Sequence, residues 1–168
     1  MSEEQRILAL NIHPHSFGFV VFEGAETVLD WGGRCFRCGA HRCHVPFRAK
    51  VSCLIDQHVP DAVVLQRPRT GRLTRLVTTI KTEAKAQRVA VRLIDPRAIE
   101  QAFLGRNANK NQVASAIAER FPELLYELPP RRRAWQSEDY RMSIFDAAAV
   151  GITYFAHKRR PSAAVPPG

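Results

Sequence analysis

The order of apolar and polar residues along the chain predicts a β-sheet that starts with the first strand. Three consecutive apolar runs of strand length come first, at residues 6–13, 16–24 and 26–33. Pro14-His15 and a turn near Gly24 separate these runs, so they are predicted to be antiparallel neighbours. Two short apolar runs of the buried-strand type follow at residues 61–66 and 89–94. The pattern therefore predicts five strands.

Between and after these strands, apolar residues recur at the spacing of amphipathic helices. Helices are predicted at residues 47–58, about 71–87 and 96–103, after Asn109, and after Ser143. Asn109 and Ser143 are residue types that cap helix N-termini through a side-chain oxygen. Residues 122–136, rich in Pro and Arg, are predicted to form an irregular loop, and residues 159–168 a frayed tail.

The resulting order, βββ-α-β-α-β-α…α, predicts the α/β class. Three meandering strands followed by βαβ units give a mixed five-stranded sheet with helices on both faces, which is the layout of the ribonuclease H-like fold. At 168 residues the chain is long enough to bury a core, and one domain over residues 1–158 accounts for its elements.

Two of the predicted buried strands end on a side-chain amide. Asn11 stands where the first strand leaves the sheet, and Gln66 ends the fourth strand. In several nuclease folds, a buried strand of this kind ends on a metal-binding carboxylate before a tight turn and an antiparallel return strand. Here an amide takes the place of that carboxylate at both positions.

The charge of the chain is strongly basic and clustered. The formal net charge is +9, and from Arg67 to Arg106 there are ten Arg and Lys residues but three Asp and Glu. Such clustering is typical of phosphate binding, so nucleic acid is the expected partner, with a merely solvated basic face as the alternative. No apolar run approaches the roughly 20 residues of a membrane span, so no membrane contact is expected and the expected location is cytoplasmic.

Four segments carry motifs that are informative through their order and spacing. They are residues 7–11 followed by Gly18-Phe19, residues 60–66, residues 104–113 and residues 143–149. Together they resemble RuvC-type Holliday-junction resolvases, in which acids stand at positions 11 and 66 and an Asp-x-x-Asp-Ala pattern covers the last segment. The resemblance implies a homodimer in which four carboxylates bind two Mg²⁺ ions for phosphodiester hydrolysis. Carried over by position, these four become Asn11, Gln66, Ser143 and Asp146.

Only Asp146 of these four is acidic, which removes most of the charge that a metal pair needs. Mg²⁺ prefers anionic oxygen, and a dication and a carboxylate about 4 Å apart attract by about 8 kcal/mol at an effective dielectric near 20, before desolvation. The loss of three carboxylates is therefore expected to abolish a two-metal site.

Two alternatives to the loss of a natural nuclease site remain open. His13 with Glu138 and Asp146 would hold one Mg²⁺ or Mn²⁺, although His13 also suits a turn and Glu138 a solvated loop. An engineered inactive variant is the second alternative, because Asn and Gln are near-isosteric with Asp and Glu. Ser143 favours natural decay, because one neutralised acid would normally suffice for a knockout.

Arginines that follow Gln66 directly flank the former acidic positions. The four are Arg67, Arg69, Arg72 and Arg75. An amide-lined cleft beside arginines attracts the phosphate backbone directly, so they are expected to bind phosphates without regard to sequence. Arg106 and Lys110 belong to the same predicted surface, and Lys110 stands at a helix N-terminus, where anions bind. The alternative is that some arginines pair with nearby acids, at Glu83, Asp95 or Glu100.

Soft metal ligands are concentrated in one loop after the third strand. Cys35, Cys38, Cys43 and His44, with His41 alongside, supply enough ligands for one structural, tetrahedral Zn²⁺. The alternative is a surface loop with reduced thiols. Cys53, on the next predicted helix, is either a further ligand or a buried thiol.

Three functions remain open from the sequence. The first is a homodimeric RuvC-like protein that binds branched DNA without cleaving it. The second is an active metal-dependent Holliday-junction endonuclease with relocated ligands, or an engineered knockout of one. The third is a structural or regulatory protein that uses the fold for protein contacts, its charge serving only solvation.

Overall fold

The computed structural model describes residues 4–36, 44–103, 109–131, 133 and 135–159. In this part of the chain five strands form one sheet: β1 Arg6–Ile12, β2 Ser16–Glu23, β3 Thr27–Cys35, β4 Ala62–Gln66 and β5 Ala90–Ile94. The helices are α1 His44–His58, α2 Gly71–Ala86, α3 Pro96–Phe103, α4 Lys110–Arg120 and α5 Met142–Arg159, with a 3-10 helix at Pro122–Glu127.

The sheet is mixed, with strand order β3-β2-β1-β4-β5. β1 pairs antiparallel with β2, which pairs antiparallel with β3. On its other edge β1 pairs parallel with β4, which pairs parallel with β5. The predicted α/β architecture, three antiparallel strands followed by parallel βαβ units, is confirmed.

The central strand, β1, is buried on both faces. Its alternate side chains point to opposite sides of the sheet. Ile7 and Ala9 belong to a core formed with α4 and α5, whereas Leu8 and Leu10 belong to a second core formed with α1 and α2. Helices therefore cover both faces, as predicted. Within the described ranges, no helix combines the length and apolar character needed to cross a bilayer.

The segment before α5 is more ordered than its composition indicates. The predicted irregular loop at 122–136 opens with the 3-10 helix, so that part of the prediction was wrong. Pro122 suits the first turn of a helix, and Leu124 is fully buried in the core beside α4. Burial of one leucine thus stabilises a helical turn that the composition of this segment did not predict.

The predicted cap of α5, Ser143, lies inside the helix. The carboxylate of Asp139 instead accepts a hydrogen bond from the backbone N–H of Arg141 at 2.9 Å, just before the first turn. The Arg141 guanidinium donates to the same carboxylate and holds the pKa of Asp139 below its ordinary value. α5 continues through Arg159, which was expected to begin the frayed tail, and residues 160–168 lie outside the described residues.

Gly18 of β2 lies directly against the backbone of α5. A Cβ atom at Gly18 would stand 2.3 Å from the backbone carbonyl oxygen of Ser143. The substitution Gly18→Ala must displace a strand or a helix, so we expect it to lower the free energy of unfolding by about 2–3 kcal/mol in chemical denaturation. Gly33→Ala is the matched control, because its Cβ would first meet Tyr140 Cδ2 at 3.6 Å, an ordinary contact. Equal stability of the two variants would contradict this packing.

Candidate functional site

The two strand-end amides lie side by side at one end of the sheet. β1 and β4 run parallel, and Leu10 is paired with Leu65, so Asn11 and Gln66 come next on neighbouring strands. The residues two positions earlier on each strand pack in the core with α5, and alternation places both amides on that same face. The resemblance-derived positions 11 and 66 are therefore brought together.

The first turns of α5 bring Asp146 to the same place. The side-chain amide of Asn11 donates to Asp146 Oδ2 at 3.3 Å, and its Nδ2 also lies 3.1 Å from His13 Nε2. Gln66 and Asp146 line one cavity of about 190 Å³ between α3, α4 and α5. Three of the four positions are thus brought together: Gln66 and Asp146 line this cavity, and Asn11 contacts Asp146.

The fourth position, Ser143, lies next to the others, but its hydroxyl is committed elsewhere. Ser143 Oγ donates to the backbone carbonyl oxygen of Tyr140 at 2.7 Å, one turn back along the chain. Its backbone packs on Gly18, which is paired with Asn11 across the sheet. The Ser143 hydroxyl therefore uses its proton to support the start of α5, and its neutral oxygen adds no negative charge to the site.

Lys110, the first residue of α4, supplies a positive charge to the site. Its Nζ lies 2.7 Å from Glu138 Oε1 and 3.5 Å from Asp146 Oδ2. Burial disfavours the ammonium, but the two carboxylates outweigh burial, so the pKa of Lys110 is raised. Burial raises the pKa of Asp146, with Lys110 opposing that shift and Glu138 adding to it. The sequence predicted neither ion pair.

The donor chemistry is a poor match for a pair of divalent ions. Asn11 and Lys110 contact Asp146. Gln66, Arg69 and Glu100 line the same cavity as Asp146. Amides and cations therefore outnumber carboxylates there, whereas Mg²⁺ prefers anionic oxygen. Among the described residues, no three His, Cys, Asp or Glu side chains come together as a metal site requires. In the single-ion set predicted from the sequence, Glu138 and Asp146 share Lys110, and His13 contacts Asn11 instead. The arrangement lends no support to that set.

Replacing Lys110 should shift the titration of Asp146 in a defined direction. In Lys110→Met the attraction that favours the carboxylate is lost while repulsion from Glu138 remains, so the pKa of Asp146 should rise further above 3.8. When the pKa of a carboxyl group is higher in the folded than in the unfolded state, the free energy of unfolding falls as pH rises from the unfolded-state value, 3.8, to the folded-state pKa. The variant should therefore be less stable than the parent above pH 3.8. Carboxyl-carbon NMR titration measures the shift, with Lys85→Met as control. An unchanged Asp146 titration would mean that the ion pair does not form.

Arginines line the rim of the amide pair. Arg67 and Arg69 share a cavity of about 200 Å³ with Asn11 and Gln66. Arg72, on α2, approaches the turn after β1, where its Nη2 lies 3.3 Å from His15 Nε2. Three arginines of the predicted basic surface, Arg67, Arg69 and Arg72, therefore lie beside the amide pair or the turn that follows β1.

The nearby acids, which the sequence offered as partners of these arginines instead of phosphate, form few ion pairs with them. Arg69 Nη2 lies 3.5 Å from Glu100 Oε1 in an exposed pair, whereas Glu83 is bound by Arg48. Arg67 and Arg75 are exposed and have no side-chain partner in the described part of the chain. Arg106 lies outside the described residues, so its predicted role stays a prediction.

The zinc prediction concerns residues that are mostly outside the described ranges. Cys35 ends β3 with an exposed free thiol, and His44 begins α1. Cys38 and Cys43 are not among the described residues. Cys53 is exposed and free, so of its two predicted alternatives the buried thiol was wrong, and its role as a further ligand stays a prediction. The Zn²⁺ site itself stays a prediction.

Comparison with known proteins establishes the fold. No protein-family model matches the chain, and no curated protein matches it in sequence. Thermus thermophilus RuvC in complex with a Holliday junction substrate aligns with a TM-score of 0.70 at 19% identity, over 92% of this chain and 95% of that one. The yeast mitochondrial Holliday junction resolvase gives a TM-score of 0.69 at 11% identity, with coverages of 91% and 78%. Fowlpox virus resolvase with Holliday junction DNA gives 0.57 at 12%, with coverages of 93% and 100%.

The mixed sheet and its flanking helices are thus those of RuvC-like, ribonuclease H-like structures, as the sequence predicted.

Proposed function

We propose that this protein binds branched DNA through a RuvC-like surface and does not cleave it. The fold it shares with solved resolvases, two of them in complex with Holliday junctions, supports the choice of ligand. The net charge of +9 and the arginines at the rim of the amide pair support binding to phosphates. The proposal includes a homodimer, since two copies would present two such surfaces to a junction, and a cytoplasmic location.

The observation that carries the absence of cleavage is the contact between Lys110 and Asp146. Asp146 is the one acid among the four positions, and the Lys110 ammonium lies 3.5 Å from it. A divalent ion about 4 Å from an ammonium would be repelled by about 8 kcal/mol at an effective dielectric near 20. Binding even one metal therefore requires Lys110 to move away, and a second metal would find amides in place of carboxylates.

The amides at the two strand ends also favour binding of DNA in the absence of metal. A cluster of carboxylates repels the phosphate backbone unless cations fill it, whereas amides donate hydrogen bonds to phosphate oxygens. Asn11 and Gln66 are partly exposed at the sheet end, and arginines stand beside them. We propose that Arg67, Arg69, Arg72 and Arg75 contact phosphates, with Lys110 adding positive charge within the cleft.

Binding and cleavage assays on a four-way junction and a matched duplex test the proposal. Fluorescence anisotropy in EDTA should show tighter binding to the junction, with an affinity that falls steeply as salt increases. Strands recovered after incubation with Mg²⁺ or Mn²⁺ should be intact. Failure to bind either DNA at low salt would overturn the binding function. Strand cleavage that Asp146→Ala abolishes would establish the endonuclease instead.

A further inference from the structure

Two exposed aromatic side chains flank the segment that carries Glu138. Trp135 is 76% exposed and Tyr140 is 71% exposed. Aromatic rings are normally a major part of the buried surface, so two exposed rings on either side of a segment that contacts the candidate site are candidates for ligand contact. Neither ring takes part in the contacts that form the site around Asp146.

The Trp135 ring is carried by a closed turn. The backbone N–H of Gln136 donates to the carbonyl oxygen of Arg133 at 3.0 Å, and the backbone N–H of Arg133 donates to Gln136 Oε1 at 3.1 Å. The Arg133 guanidinium carbon lies 5.5 Å from the centre of the Trp135 ring. The turn thus presents an indole with a cation over it, the combination on which nucleobases stack.

The position of Tyr140 is fixed from the α5 side. Its carbonyl oxygen accepts from both the backbone N–H of Ser143 at 3.2 Å and the Ser143 hydroxyl at 2.7 Å. Tyr140 Cδ2 lies 3.6 Å from the point where a side chain at Gly33 would begin. The ring therefore lies close to the strand surface of β3 at a glycine.

The segment between the two aromatics is tied to the candidate site. Glu138 binds Lys110, and Asp139 binds Arg141. Residues 136–139 form one wall of a groove of about 640 Å³, and residues 109–111 belong to its lining as well. A groove of this size falls within the range of about 300–1,000 Å³ that small ligands occupy.

The charge of this segment suits a polyanion. Its two carboxylates, Glu138 and Asp139, are each paired with a basic side chain, Lys110 and Arg141 respectively. Arg131 and Arg133 are exposed and have no acidic partner in the described part of the chain. Positive charge next to exposed aromatic rings is the usual platform for single-stranded nucleic acid.

We propose that Trp135 and Tyr140 stack on unpaired bases of branched DNA, beside the groove that leads to Lys110. Bases within a duplex already stack on one another, so these rings select nucleotides that are unpaired at a branch. Stacking accepts any base, so the interaction is independent of sequence. This inference rests on the proposed function and specifies which part of a branched DNA this side of the site recognises.

The test measures binding of a short oligothymidylate, of a four-way junction and of a fully paired duplex by anisotropy. Trp135→Ala and Tyr140→Ala should each weaken oligothymidylate binding about 5- to 150-fold, the range for loss of one stacked base, and leave duplex binding unchanged. Trp135→Phe should keep most of the affinity and lose the tryptophan quenching that accompanies binding. Tyr126→Ala, at an aromatic residue that is 91% exposed on the 3-10 helix, is the matched control and should bind as the parent does.

Each outcome decides between the two proposals. If the alanine variants bind oligothymidylate and junction as tightly as the parent, stacking is excluded while junction binding stands. If they lose duplex affinity to the same extent, the residues act through the backbone or the fold, and the inference again fails. If the parent protein binds neither the four-way junction nor the duplex, the proposed function itself is wrong. Circular dichroism of each variant verifies that the fold is retained.

Discussion

Replacing Arg67, Arg69 and Arg72 together by glutamine is expected to weaken binding to a four-way junction about a thousandfold, at about 1.4 kcal/mol per phosphate contact. All three lie around the strand-end amides: two line a cavity with Asn11, and the third reaches the turn after β1. Their present partners are one exposed carboxylate and one histidine, which phosphates can replace at little cost. The slope of log affinity against log salt should fall by about 3 in magnitude.

The matched control for this loss is Arg120→Gln. Arg120 is the last residue of α4, and it binds Glu26 at 3.0 Å and the carbonyl oxygen of Ala25. The turn it contacts joins β2 to β3, whereas the amides lie where β1 leaves the sheet. Junction affinity should therefore stay within about twofold of the parent, as for most surface changes away from an interface. If net charge alone attracted DNA, Arg120→Gln would cost about one third of the binding free energy that the triple variant loses, about tenfold in affinity, and that result would contradict a binding surface beside the amides.

Rebuilding the acidic site should convert a binding protein into a metal-dependent nuclease. The variant carries Asn11→Asp, Gln66→Glu, Ser143→Asp and Lys110→Ala. With Glu138 counted, because it also contacts Lys110, the local formal charge changes from one negative charge to five. Each added carboxylate attracts a dication by about 8 kcal/mol at about 4 Å before desolvation, so the three added carboxylates together offset the repulsion between two metals. Calorimetry should detect Mn²⁺ binding, and junction strands should be nicked in its presence.

Two intermediate variants separate the contributions. The triple variant that retains Lys110 should bind Mn²⁺ more weakly than the full variant, because the ammonium still neutralises Asp146. Lys110→Ala by itself should produce neither Mn²⁺ binding nor nicking of junction strands, since both amides and Ser143 remain. Mn²⁺-dependent nicking by that single variant would show that the amide positions are dispensable for metal binding. Such a result would contradict the proposal that amides at these positions prevent cleavage.

The strands could be predicted because their boundaries are local. The run Ile7 to Leu10 is apolar at every position since both of its faces are buried, and Pro14-His15 marks the turn that follows. The proximity of Asn11 to Gln66 could also be predicted, since neighbouring parallel strands end at the same edge of a sheet. Local pattern therefore determined both the sheet and the place of its polar ends.

The ion pairs of the site could not be predicted in this way. Lys110 and Glu138 are 28 positions apart, and Glu138 lies in a segment without helical or strand periodicity, so nothing local brings them together. Ser143 was expected to cap α5 from its residue type, but Asp139 provides the oxygen before the first turn. The burial of Leu124, which sets the 3-10 helix, depends on contacts with α4 and α5 that sequence spacing does not show.

We propose that cleavage is absent because the pocket beside Asp146 has too little negative charge to hold a pair of divalent ions. Anomalous diffraction from crystals of the unmodified protein soaked in Mn²⁺ reveals whether such ions bind there. We expect no manganese beside Asp146, with Lys110 still in contact with that carboxylate. Two ordered manganese ions at Asp146, with Lys110 displaced, would contradict it.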